Sequence, residues 1–144
     1  MNVARIVLLL VTFGVSAADE PKQGGAKDLK GRWTAVLMIF RGQPVEQDAV
    51  RNFEATFDGR TYTNIVGGKL VEEGTYTVDD SSSPKTIDFH ITTGPDQGKQ
   101  QLAIYKLEGE RLTMVFSEPG SSERPKSFDP GTSKAKADFK RAKY

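Results

Sequence analysis

Catalysis by side chains needs a base beside a nucleophile, with a third group to orient them. This chain carries few such groups. It has one histidine, His90, and no cysteine, so thiol chemistry is excluded. His90 falls on the polar side of an alternating stretch, and nothing is paired with it by spacing, so it reads as a surface residue. The carboxylates gather mostly at turns, as in Glu72-Glu73, Asp79-Asp80 and Glu108-x-Glu110. Asp79-Asp80 and the serines that follow offer oxygen ligands to calcium but lack the Asp-x-Asp-x-Asp-Gly spacing of a dedicated loop. There is no zinc spacing, no phosphate loop and no Gly-x-Ser-x-Gly elbow. No catalytic residue, metal site or cofactor is expected, and the chain does not read as an enzyme. One cation stands out. Arg124, before Pro125 in an extended segment, suits either a contact to a carboxylate or phosphate or a tie between the tail and the rest of the domain.

The elements that must position these groups are short strands. Trp33 to Phe40 is a nearly continuous apolar run of strand length, bounded by Gly31 and by Arg41-Gly42-Gln43-Pro44. Between Asn52 and Asp58, Phe53, Ala55 and Phe57 alternate with polar residues, which gives one buried face and one wet one. Asp58-Gly59 is a hairpin turn. In the returning strand, Arg60 to Val66, either Tyr62 or the set Thr61, Thr63 and Ile65 faces inward, depending on a bulge at Gly59. Gly74, Tyr76 and Val78 share the inner face of Leu70–Val78. Ile87, Phe89 and Ile91 share that of Thr86–Thr92. Gln100–Leu107 and Leu112–Phe116 form a further hairpin about Gly109, with Leu112, Met114 and Phe116 inward.

Beyond Pro119-Gly120 the composition shifts. Residues 121–144 hold seven basic and three acidic side chains. Ala135, Ala137, Phe139 and Arg141 alternate with Lys134, Lys136, Asp138 and Lys140, which favours a last strand over a helix. About eight strands at hairpin spacing, with no convincing helix between them, predict an all-β fold. The specific expectation is a single antiparallel up-and-down β-barrel, closed to remove its edges.

The N-terminus reads as an export signal. Arg5 precedes the apolar run Ile6–Val15, and Val15-Ser16-Ala17 has the small residues of a cleavage site. The run is too short to span a bilayer, which takes about 20 apolar residues. Residues 1–17 are therefore assigned to a signal peptide, 18–28 to a flexible spacer and 29–144 to the barrel domain. Removal of the signal leaves 144 less 17, or 127 residues, with 19 basic and 19 acidic side chains. A neutral protein lacks the basic excess that nucleic-acid binding requires. The expected localisation is exported, either periplasmic or secreted, and not transmembrane after cleavage.

Leu29-x-Gly31-x-Trp33 resembles the opening of the lipocalin and wider calycin barrels. The chain also resembles a family of small exported bacterial proteins of unknown function, mostly from planctomycetes. That likeness runs through Leu29-Lys30-Gly31-Arg32-Trp33, Gly42-x-Pro44, Pro84-Lys85-Thr86-Ile87-Asp88 and Ile104 to Glu110 with Leu112. It continues through Glu123-Arg124-Pro125 with Phe128 and ends on Lys140-Arg141. Ala103 stands where that family usually has glycine, and Leu112–Ser117 lacks a cysteine the family often has. The resemblance implies a lipocalin-like barrel in which Trp33 closes one end with Arg141 over its ring.

Two functions follow as expectations. The first is binding of a small apolar or amphipathic ligand between Phe53, Phe57, Tyr76, Phe89, Tyr105 and Phe116. The second is an envelope or protein interaction module, its barrel filled by its own side chains. An eight-stranded barrel is just wide enough for either.

Overall fold

The computed structural model describes residues 28–143. The signal and all but the last residue of the spacer therefore lie outside the described residues. Within that range the chain forms nine strands and one short helix. In chain order the strands are β1 (Gly31–Phe40), β2 (Gln43–Pro44), β3 (Phe53–Phe57), β4 (Thr61–Val66) and β5 (Lys69–Asp79). They continue with β6 (Lys85–Thr93), β7 (Gln100–Glu108), β8 (Arg111–Phe116) and β9 (Ala135–Arg141); helix α1 is Gln47–Arg51. Each strand from β3 onward pairs antiparallel with the next, and β9 returns to β1. The result is a closed, up-and-down, eight-stranded barrel, with β2 hairpinned onto β1 outside the ring.

The alternation in the sequence becomes the inside of this barrel. Trp33, Ala35, Ala55, Phe57, Tyr62, Tyr76, Val78, Ile87, Phe89, Ala103, Tyr105, Leu112, Met114, Ala137 and Phe139 form one buried cluster. The open choice in β4 resolves in favour of Tyr62, which pairs with Phe57 on one side and Gly74 on the other. The Asp58 carboxylate sets that register. It accepts hydrogen bonds from the backbone N–H groups of Arg60 and Thr61 and from the Thr61 hydroxyl, at 2.9, 2.7 and 2.7 Å. Gly74 is needed for close approach, because a Cβ there would lie only 2.0 Å from the carbonyl oxygen of His90.

Trp33 closes one end. Its indole N–H donates to the Leu29 carbonyl at 2.8 Å, within a 3₁₀ turn that includes Asp28 and Leu29. Asp28, read as the last spacer residue, belongs to this closure. Arg141 lies over the Trp33 ring, its guanidinium carbon 4.3 Å from the ring centre. It donates to the carbonyls of Lys30 and Asp28 at 2.8 and 2.9 Å and pairs with Glu110 at 3.1 Å. Gly31, at φ +125°, is the residue this arginine passes. A Cβ there would meet Arg141 Nη1 at 3.0 Å, which gives a physical reason for the glycine of Gly-x-Trp.

Two features differ from the reading of the sequence. The segment after β2 forms helix α1, although no helix was expected. With five residues it is too short to show a helical period. It exists because Val50 is driven fully into the end of the barrel opposite Trp33, a burial worth about 1.5–3 kcal/mol. The second feature is a strap, residues 117–134, laid over the outer wall. Ile104 and Val115 are cross-strand neighbours that alternation points outward, yet both are fully buried.

Candidate functional site

The six aromatics expected to line a ligand divide into two groups. Phe57, Tyr76, Phe89 and Tyr105 are buried to 4% exposure or less and belong to the core. They pack on one another and their neighbours. Phe57 meets Tyr76 edge-on at 5.1 Å and Tyr62 meets Phe89 edge-on at 4.9 Å. Trp33, Ala103, Leu112 and Met114 around them are 0–1% exposed. A void large enough for water would leave part of such side chains uncovered even if sealed from outside, so this part of the barrel is filled. Phe53 and Phe116 are half-buried higher up, packed against the core from the mouth.

At that mouth lies a half-enclosed cleft of about 440 Å³. Its apolar side is Phe116 and Phe40, and its polar side includes Glu72, Gln101, Asp96 and Lys99. Gln101 is held by donating its amide to the Ser117 carbonyl at 2.9 Å. Glu72 sits on the inner face of β5, two residues before Gly74. Its Oε1 accepts from the Tyr62 hydroxyl at 3.0 Å and from the Asn64 amide at 3.4 Å. Burial pushes the Glu72 carboxyl above the usual range, and the negative charge of Asp96 adds to this, while the Tyr62 bond works against it. Burial and the Glu72 charge likewise raise the Tyr62 phenol.

In the sequence Glu72 reads as one of the turn carboxylates. The signal that places it inside was nonetheless there, since it has the same parity as Gly74, Tyr76 and Val78. The other singled-out residues lie elsewhere. Arg124 sits in the strap, its Nη2 2.7 Å from Asp88 Oδ1 as a close ion pair rather than an aligned hydrogen bond. Its Nη1 donates to the Ala103 carbonyl at 3.0 Å. It ties the strap to the barrel wall, and its charge is already met. His90 is exposed on the outer face of β6. No group of three or more His, Cys, Asp or Glu capable of holding a metal occurs among the described residues. No described helix is long and apolar enough to cross a membrane.

No family model, curated protein or solved structure matches this chain.

Proposed function

We propose that this is an exported, lipocalin-like barrel that binds one small amphipathic molecule at its mouth, held shallowly rather than swallowed into the interior. The observation that carries this is the cleft of about 440 Å³ beside Phe116 and Glu72. Its size falls within the roughly 300–1,000 Å³ of small-molecule sites, and it combines apolar walls with a few fixed polar groups. Export rests on Arg5, the apolar run to Val15 and the small residues at its end. Kinship with the planctomycete-type exported proteins rests on the motifs quoted above.

The test is a thermal-shift screen of amphipathic probes, followed by calorimetry on Phe116→Ala. A true ligand at a hundredfold excess over its Kd stabilises the fold by about 2.7 kcal/mol, and Phe116→Ala weakens it. If no amphiphile stabilises the wild type, the reading fails. N-terminal sequencing of exported protein should find Ala18 or Asp19 first.

A second reading, an envelope or protein partner, is favoured by Phe40, Leu70 and Val71. These are large apolar side chains 56, 48 and 40% exposed around the same end of the barrel. Cross-linking from a photoreactive residue at position 70, in cells, would report such a partner.

A further inference from the structure

The cleft carries six charged side chains, and four of them answer one another. Lys99 lies 3.4 Å from Asp96, and Arg41 lies 3.7 Å from Glu118. Glu72 is a carboxylate of the lining with no cation paired to it among the described residues, and it is the one set into the barrel wall. Both of its hydrogen bonds fall on Oε1. Oε2 has no protein donor among the described residues and is not a sheltered atom, so it remains an acceptor open to solvent. Tyr62 and Asn64 hold the carboxyl in place from β4, and Phe116 lines the same cleft.

We infer that the mouth cleft selects a ligand bearing an ammonium group next to an apolar chain or ring, with Glu72 Oε2 receiving the ammonium and Phe116 the apolar part. This rests on the proposed function and names the ligand class of the same site. A half-buried carboxylate with no cation beside it is only partly compensated, and a bound ammonium supplies both the missing donors and the missing charge. A hydroxyl supplies only a donor. A carboxylate supplies neither and brings a second negative charge toward Glu72. Lys134, the remaining cation of the lining, is the group a carboxylate ligand would seek, so the two classes can be told apart.

The experiment is calorimetry at neutral pH with octylammonium, octanol and octanoate, on the wild type and on Glu72→Gln. Glutamine keeps the shape of the side chain and an oxygen for Tyr62, and an unchanged melting temperature would verify the fold. The expected result is octylammonium bound at least about tenfold tighter than the other two, the scale of a hydrogen bond to a charged group, with that preference lost in Glu72→Gln. Octanol or octanoate bound as tightly as octylammonium would overturn the ammonium selection and leave the mouth as a binding site. A preference that survives Glu72→Gln would overturn the role of Glu72. Failure of all three to bind the wild type would overturn the selection together with the proposed function. The wild-type series alone decides the ligand class, whatever the variant does.

Discussion

Arg141 and Trp33 are register neighbours on β9 and β1, and the guanidinium lies 4.3 Å above the indole. The same guanidinium bonds two carbonyls of the entering chain and one carboxylate, so it fastens the start of the domain to its last strand. Trp33→Ala should cost about 3–5 kcal/mol, the range for deleting a large buried aromatic. Arg141→Ala should cost less. The double mutant should fall short of the sum by about 0.5–3 kcal/mol, because the two share a contact. Urea unfolding of the four proteins measures this, and strict additivity would mean that the stacking contributes nothing.

Gly74 leaves no space for a side chain, since the backbone of His90 occupies the position a Cβ would take. Gly74→Ala should lower stability by about 1–3 kcal/mol or more, as overpacking of a fixed backbone does. Gly109→Ala is the control. Nothing lies within 4 Å of its added Cβ, and only its φ of +64° opposes the change, at about 1 kcal/mol. Equal losses at the two positions would refute the account of Gly74.

Arg124 fixes the strap. Arg124→Met should leave Asp88 without its partner and free the strap, which lies over Ile104, from the barrel wall. A half-buried ion pair broken on one side costs more than an exposed one, so about 1–3 kcal/mol is expected. The specific readout is limited trypsin digestion, with faster cleavage at Lys126 while the barrel stays intact. Unchanged cleavage there would show that the strap is held by its apolar contacts alone.

Asp58 is lowered from 3.8 to about 2, first by the Thr61 hydroxyl and then by the backbone N–H groups of Thr61 and Arg60. Its folded value lies below its unfolded one. The ionised carboxylate therefore stabilises the hairpin above about pH 4, and this contribution is lost as the pH falls toward 2. The carboxylate is exposed, so water and salt screen its interactions and the gain is about 1 kcal/mol. Asp58→Ala should lose that amount at pH 7 and much less at pH 2.5, by urea unfolding at each pH. A loss independent of pH would place its cause in the turn backbone rather than in the charge.

The barrel is legible in local patterning. Period-two alternation marks Phe53-x-Ala55-x-Phe57, Ile87-x-Phe89-x-Ile91 and Leu112-x-Met114 as inner faces, and the glycine-bearing turns at hairpin spacing leave little choice but antiparallel neighbours. The same parity would have placed Glu72 inside. Tertiary structure decided what depends on residues far apart in the chain. The Asp58 turn chose Tyr62 over the threonines of β4. Val50 made a helix of a segment too short to declare one. The strap buried Ile104 and Val115, which alternation pointed to water, and gave Arg124 a partner thirty-six positions away in Asp88. Above all, a list of inward aromatics carries no volume. Whether Phe57, Tyr76, Phe89 and Tyr105 surround a cavity or fill it depends on ring-to-ring distances across the barrel. At 4.9 and 5.1 Å between edge-on rings they fill it, and the half-enclosed cleft beside Phe116 and Glu72 lies at the mouth rather than among them.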